Sequence, residues 1–162
     1  MLKQRLLDFL MMHAGEEYNQ RQLAKALNVS EPAIMKAIDT KHIKVRRAYN
    51  QKLITLNDKQ ETIWLKRAYN LKLLATSGLL TQLKKKLPGI TVILFGSFAD
   101  GQDTNGSDID LAFIGEKINI DLSSYETLLN RKIHVSHYDE LRKINGHLRV
   151  NILNGITLHG HI

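Results

Sequence analysis

The 162-residue chain has no cysteine. Disulfide staples and thiolate metal sites are therefore excluded, and the composition fits a reducing interior. Proline occurs only twice, at Pro32 and Pro88, so regular hydrogen bonding is barred at few positions. Aromatic side chains are sparse, and Trp64 and the tyrosines are assigned to core or hairpin packing rather than to stacking platforms. No apolar run approaches membrane-spanning length, and Met1-Leu2-Lys3 does not lead into a signal-peptide pattern. A soluble cytoplasmic protein with no membrane partner is expected.

Charge is plentiful and unevenly spread. Residues 1–88 carry 17 Lys/Arg against 7 Asp/Glu, whereas residues 89–162 carry 6 against 9. A basic front and an acidic back suggest two modules with different partners. The predicted division is 1–66, a connecting helix over 67–88, and 89–162, where Pro88-Gly89 stops the helix.

In the front, apolar spacing predicts a helix from Leu2 to near Gly15. Asn19 is a candidate N-cap for Gln20–Leu27, and Ser30 for a following helix with Pro32 in its first turn. Lys52–Thr55 and Glu61–Leu65 read as two short strands around Asn57-Asp58-Lys59-Gln60. Helix, tight turn, helix and then a hairpin resembles a winged helix-turn-helix domain. That resemblance makes DNA an expected partner, with Lys36, Thr40 and Lys41 on the reading helix and Lys44, Arg46, Arg47 and Lys59 on phosphates.

The most informative stretch is Ile90–Gly115, ITVILFGSFADGQDTNGSDIDLAFIG. A β-branched apolar run stops at Gly96-Ser97. After a polar segment, Ser107-Asp108-Ile109-Asp110-Leu111 opens a second apolar run. Asp108 and Asp110 are two apart, so in a strand their carboxylates share a face. Paired carboxylates repel, and a divalent cation is the usual means of keeping both ionised. Gly96 permits close backbone approach, and Ser97 is a candidate cap for a short helix whose N–H groups favour phosphate.

Gly-Ser, ten residues and then Asp-x-Asp resembles the signature of the DNA polymerase β-type nucleotidyltransferase superfamily, in its minimal form. The resemblance implies an α+β fold, a mixed sheet covered by helices. It also implies transfer of a nucleoside monophosphate from a nucleoside triphosphate, ATP by preference. Asp108 and Asp110 would hold Mg²⁺, with Mn²⁺ as the alternative ion; Gly96, Ser97 and Ser107 would lie on the nucleotide. A macromolecular acceptor, such as a partner protein, is implied by family likeness alone, and the oligomeric state is left open.

Two positions depart from the family pattern. The third strand, predicted over Arg131–His137, carries His134 where relatives place a third carboxylate. Imidazole can act as a base near neutral pH but is a poor ligand for Mg²⁺. Asp139 and Glu140, on a helix predicted over Asp139–Leu153, are the other carboxylates considered for that place. Asp100 stands where similar proteins often carry Arg. Two functional expectations follow. One is a Mg²⁺-dependent nucleotidyltransferase with Asp108, Asp110 and His134 as catalytic residues. The other is a DNA-binding regulator whose back module binds nucleotide without turnover. A strand at Ile156–Leu158 is expected, with His159-Gly160-His161 as a loose tail.

Overall fold

The computed structural model describes residues 1–48 and 50–161. The fold is α+β, in two compact units, Met1–Lys66 and Arg67–Ile162. No helix among the described residues is long and apolar enough to cross a membrane.

The front unit holds α1 (Leu2–Met12), β1 (Tyr18–Asn19), α2 (Gln20–Leu27), α3 (Glu31–Ala37), β2 (Ile43–Ala48) and β3 (Gln51–Leu56). Its sheet order is β1-β3-β2, all antiparallel. The helices bury Leu6, Leu10, Leu23, Leu27 and Ile34 against Ile43 and Ile54 of the sheet. Asn19 begins α2 with a reciprocal capping box: its side chain accepts from Gln22 N–H, and the Gln22 side chain accepts from Asn19 N–H. Asn28 ends α2 in the left-handed conformation, making the tight turn into α3. Ser30 occupies the N-cap of α3, but its side chain makes no capping hydrogen bond.

The hairpin forms one strand earlier than the sequence pattern suggests. β3 pairs with β2, while Glu61–Leu65 belongs to the helix α4 (Gln60–Thr76). Asn57, taken as a hairpin turn residue, instead opens α4: its Oδ1 accepts from Lys59 N–H and Thr62 Oγ, and its Nδ2 donates to Lys41 O. Trp64, expected in packing, is 57% exposed on α4. Tyr18 does pack, edge-on to Phe9 and His13, and its hydroxyl is pushed up to about 12 by burial and by its bond to Glu16. Tyr49 lies outside the described residues.

The connecting helix also differs from expectation. It starts at Gln60, stops at Thr76 and resumes as α5 (Leu79–Lys86), with Gly78 at φ 82° between the two. β4 (Thr91–Phe95), α6 (Gly96–Asp100), β5 (Ile109–Ile114), α7 (Ser123–Leu129), β6 (Ile133–Tyr138), α8 (Gly146–Leu153) and β7 (Ile156–His159) complete the back unit. The predicted helix over Asp139–Leu153 is replaced by a 3₁₀ turn (Leu141–Lys143) and α8, separated by an extended Ile144 that buries its side chain.

The back sheet has the order β6-β5-β4-β7, with β5 and β6 parallel and the other pairs antiparallel. Alternation along the strands divides the core in two. Val92, Leu94, Ile109, Leu111 and Phe113 enter the larger cluster with Leu79, Leu83 and Phe98. Ile93 and Ala112 face the smaller one, closed by Ile144 and Ile152. The terminal His159-Gly160-His161 is not a loose tail. His159 pairs with Val92, and Thr91 Oγ1 donates to His161 O at 2.6 Å.

Candidate active site

The site lies at one end of the back sheet, where β4 runs into α6 and β5 begins. Phe95 pairs with Asp110, so the antiparallel register sets Gly96 directly beside that carboxylate. Gly96 has φ 75°, and a Cβ built there would stand 2.7 Å from Asp110 Oδ2. The carboxylate thus occupies the space that any other residue's side chain would need. Period-two alternation puts Asp110 on the face of Ala112 and Ile114, yet at the rim, where it stays partly exposed.

On the other side of Asp110 the parallel register brings His134. Its Nδ1 is 3.5 Å from Asp110 Oδ1, and the imidazole is largely open to solvent. Asp108 is exposed and precedes β5 rather than lying in it. The sheet therefore brings Gly96, Asp110 and His134 together, with Asp108 two residues before Asp110. Among the described residues, no three His, Cys, Asp or Glu side chains form a ready-made metal group. Asp108 and Asp110 still offer the oxygen donors that Mg²⁺ takes, commonly one or two carboxylates completed by substrate phosphate and water.

Ser97 is exposed on α6 but does not cap it; the N-cap position is Phe95. The Ser107 hydroxyl is turned inward to the loop, accepting from Thr104 N–H at 2.9 Å. Asp139 and Glu140 follow the opposite end of β6, roughly 16–20 Å along the chain from His134 at about 3.3 Å per residue. Glu140 is engaged there by Arg142 and Lys143, which hold its carboxyl below the ordinary range. Neither carboxylate substitutes for the one absent beside Asp110.

The family model described as Polymerase beta, Nucleotidyltransferase matches residues 79–160, just over half the chain. The chain belongs to that nucleotidyltransferase family. Nucleotidyl transfer is the chemistry this membership points to. The match spans α5 through β7 and so takes in Gly96, Asp108, Asp110 and His134. A comparison with curated proteins finds no match.

Sequence reasoning missed a buried polar cluster behind the family's motif. Asp103 is fully buried, with Oδ2 2.9 Å from Arg131 NH2 and Oδ1 accepting from Asn70 Nδ2 at 2.6 Å. Its pairing follows from topology: Asp103 and Arg131 precede β5 and β6, which are neighbours in the sheet. Opposite charges just ahead of two strands were the available signal, and it needed the strand order to be read.

The residues expected to meet DNA all belong to the front unit, spread over α3, the turn after it, β2 and the approach to α4. Lys36 is exposed on the last turn of α3. Thr40 and Lys41 are not on that helix, which stops at Ala37. Asp39 Oδ1 accepts from Lys41 N–H and turns the chain toward β2. Lys44 and Arg47 are exposed on β2. Arg46 grips Glu17 through both Nε and NH2, holding that carboxyl below its ordinary range. Lys59 stands just before α4 rather than in a hairpin loop.

Proposed function

We propose that the back unit moves a nucleoside monophosphate from a nucleoside triphosphate, ATP in the first instance, to a macromolecular acceptor, releasing pyrophosphate. The observation that carries this reading is the Asp110 carboxylate seated against Gly96, which joins the Gly-Ser turn to the Asp-x-Asp strand in one site. Gly96 and Ser97 would take the β and γ phosphates, Ser97 through its exposed hydroxyl. Asp108 and Asp110 would hold Mg²⁺ or Mn²⁺. The bound ion would offset charge on the α-phosphate and on the leaving pyrophosphate.

His134 is assigned the proton of the attacking acceptor group. Its Nδ1 lies 3.5 Å from Asp110 Oδ1, and a neutral imidazole is a suitable general base. Two variants divide these roles. Asp108→Ala with Asp110→Ala is expected to abolish Mg²⁺-dependent ATP binding in calorimetry; unchanged binding would remove the metal assignment. His134→Ala is expected to lower turnover while sparing Mg²⁺-ATP affinity, and a matching loss of affinity would argue against the base.

A second reading is favoured by one observation: beside Asp110, β6 presents His134 and no carboxylate. Here the protein is a DNA-binding regulator whose back unit holds nucleotide without turnover. The element order of the front unit supports a winged helix, and exposed Lys36, Lys44 and Arg47 supply its phosphate contacts. Nucleotide binding without label transfer under either ion would select it.

A further inference from the structure

The cluster behind the site ties both halves of the nucleotide motif to one guanidinium. Arg131 is nearly buried and uses its fork in three directions. NH2 meets Asp103 Oδ2 at 2.9 Å, while NH1 donates to Thr104 O at 2.8 Å and to Ser107 O at 2.7 Å. The same guanidinium lies 5.3 Å from the ring centroid of Phe98, next to Ser97 on α6. Asn70 closes the ring of contacts, donating both to Asp103 and to Phe98 O.

The turn that Arg131 grips is the one that delivers Asp108. Thr104 and Ser107 close it themselves, through Thr104 N–H to Ser107 Oγ and Ser107 N–H to Thr104 O. The Thr104 carbonyl, already accepting from Ser107 N–H, and the Ser107 carbonyl, one residue before Asp108, both accept from Arg131 as well. A bare hydrophobic filling would pack this space without constraining the turn. A buried ion pair carries a desolvation cost and gives directional restraint in return. Lysine, a point charge without a planar fork, cannot serve one carboxylate and two carbonyls in this fixed geometry.

We propose that Arg131, supported by Asp103, is a positioning residue that pre-sets the 104–107 turn so that Asp108 joins Asp110 in gripping the metal–nucleotide. This rests on Asp108 and Asp110 being the metal carboxylates. Residues that orient metal ligands typically contribute 10–100-fold in affinity.

The test uses Arg131→Lys in the full chain, which keeps a cation beside Asp103. Thermal unfolding confirms that the variant is folded. Amide hydrogen exchange of the 104–109 segment without ligand is read first. Binding of Mn²⁺ with a non-hydrolysable ATP analogue is then followed by Mn²⁺ paramagnetic resonance, in the native and Asp108→Ala backgrounds. Faster exchange in 104–109 is expected, with affinity about tenfold weaker in the native background and unchanged by Arg131→Lys once Asp108 is Ala. Unchanged exchange, or the same affinity loss in the Asp108→Ala background, would overturn the positioning role. Absence of Mn²⁺–analogue binding by the native protein would overturn the metal reading itself, and the role built on it. Should Arg131→Lys not fold, Asp103→Asn, which keeps shape and removes the charge, is carried through the same measurements.

Discussion

At the scale of single residues the site turns on the contact between Gly96 and Asp110. The glycine is needed twice, for its φ of 75° and for the 2.7 Å gap that a Cβ would have to share with the carboxylate. Gly96→Ala is expected to cost about 1–2 kcal/mol from the left-handed backbone alone. It should also displace Asp110 and weaken Mg²⁺-ATP binding by more than that stability loss explains. Denaturant unfolding and calorimetry on the same variant check both. Asp108 and Asp110 were legible in the sequence because Asp is out of place at the mouth of an apolar strand unless it has a task. The partner of Asp103 was not legible, since a charge pair across 28 residues has no local trace; it emerges only from the adjacency of β5 and β6.

Among the elements, β6 decides which group stands beside Asp110, and its start is pinned by α7. Glu126 accepts from Ile133 N–H at 2.9 Å and from Lys132 Nζ at 3.2 Å. The Ile133 amide first, then Lys132, hold its carboxyl below the ordinary 4.5. A carboxylate depressed in the fold stabilises above its unfolded value, and that contribution is lost as pH falls through the folded one. Glu126→Gln should therefore be less stable than the native protein near neutrality. The gap should close as pH drops below about 4.5. Unfolding curves for both proteins across the acid range measure it, and a gap independent of pH would contradict the assignment. Element types were read best where local chemistry is self-contained, as in the Asn19–Gln22 capping box of α2. They were read worst at Asn57–Leu65, where a turn-forming tetrapeptide serves equally as hairpin loop or helix entry. Only the pairing of β2 with β3 settles that choice.

Over the whole molecule, the charge asymmetry of the sequence does not follow the two units: residues 1–66 carry 12 Lys/Arg against 7 Asp/Glu, and residues 67–162 carry 11 against 9. The front one carries exposed Lys36, Lys44 and Arg47, although Arg46 is committed to Glu17. If these cations meet nucleic acid, affinity should fall steeply with salt. Lys44→Glu with Arg47→Glu should weaken binding across sequences and flatten the salt slope by about two. Fluorescence anisotropy with duplex DNA over a salt series tests this, and an unchanged slope would remove the DNA surface from β2. The α+β class of the back unit was legible from its alternation of apolar runs and helical segments. The break at Gly78 and the pairing of His159 with Val92 were not, because both depend on how the strands close around Leu79 and Ile93.

Nucleotidyl transfer by the site around Asp110 is tested by following label from α-labelled ATP, with Mg²⁺ and then Mn²⁺, using purified protein alone and in cell lysate. The Asp108→Ala, Asp110→Ala double variant serves as blank. Label entering a macromolecule with the native protein, and not with the blank, is the predicted result and identifies the acceptor. Retained ATP binding without transfer under either ion would contradict the claim and leave His134 as the mark of a site that binds without turnover.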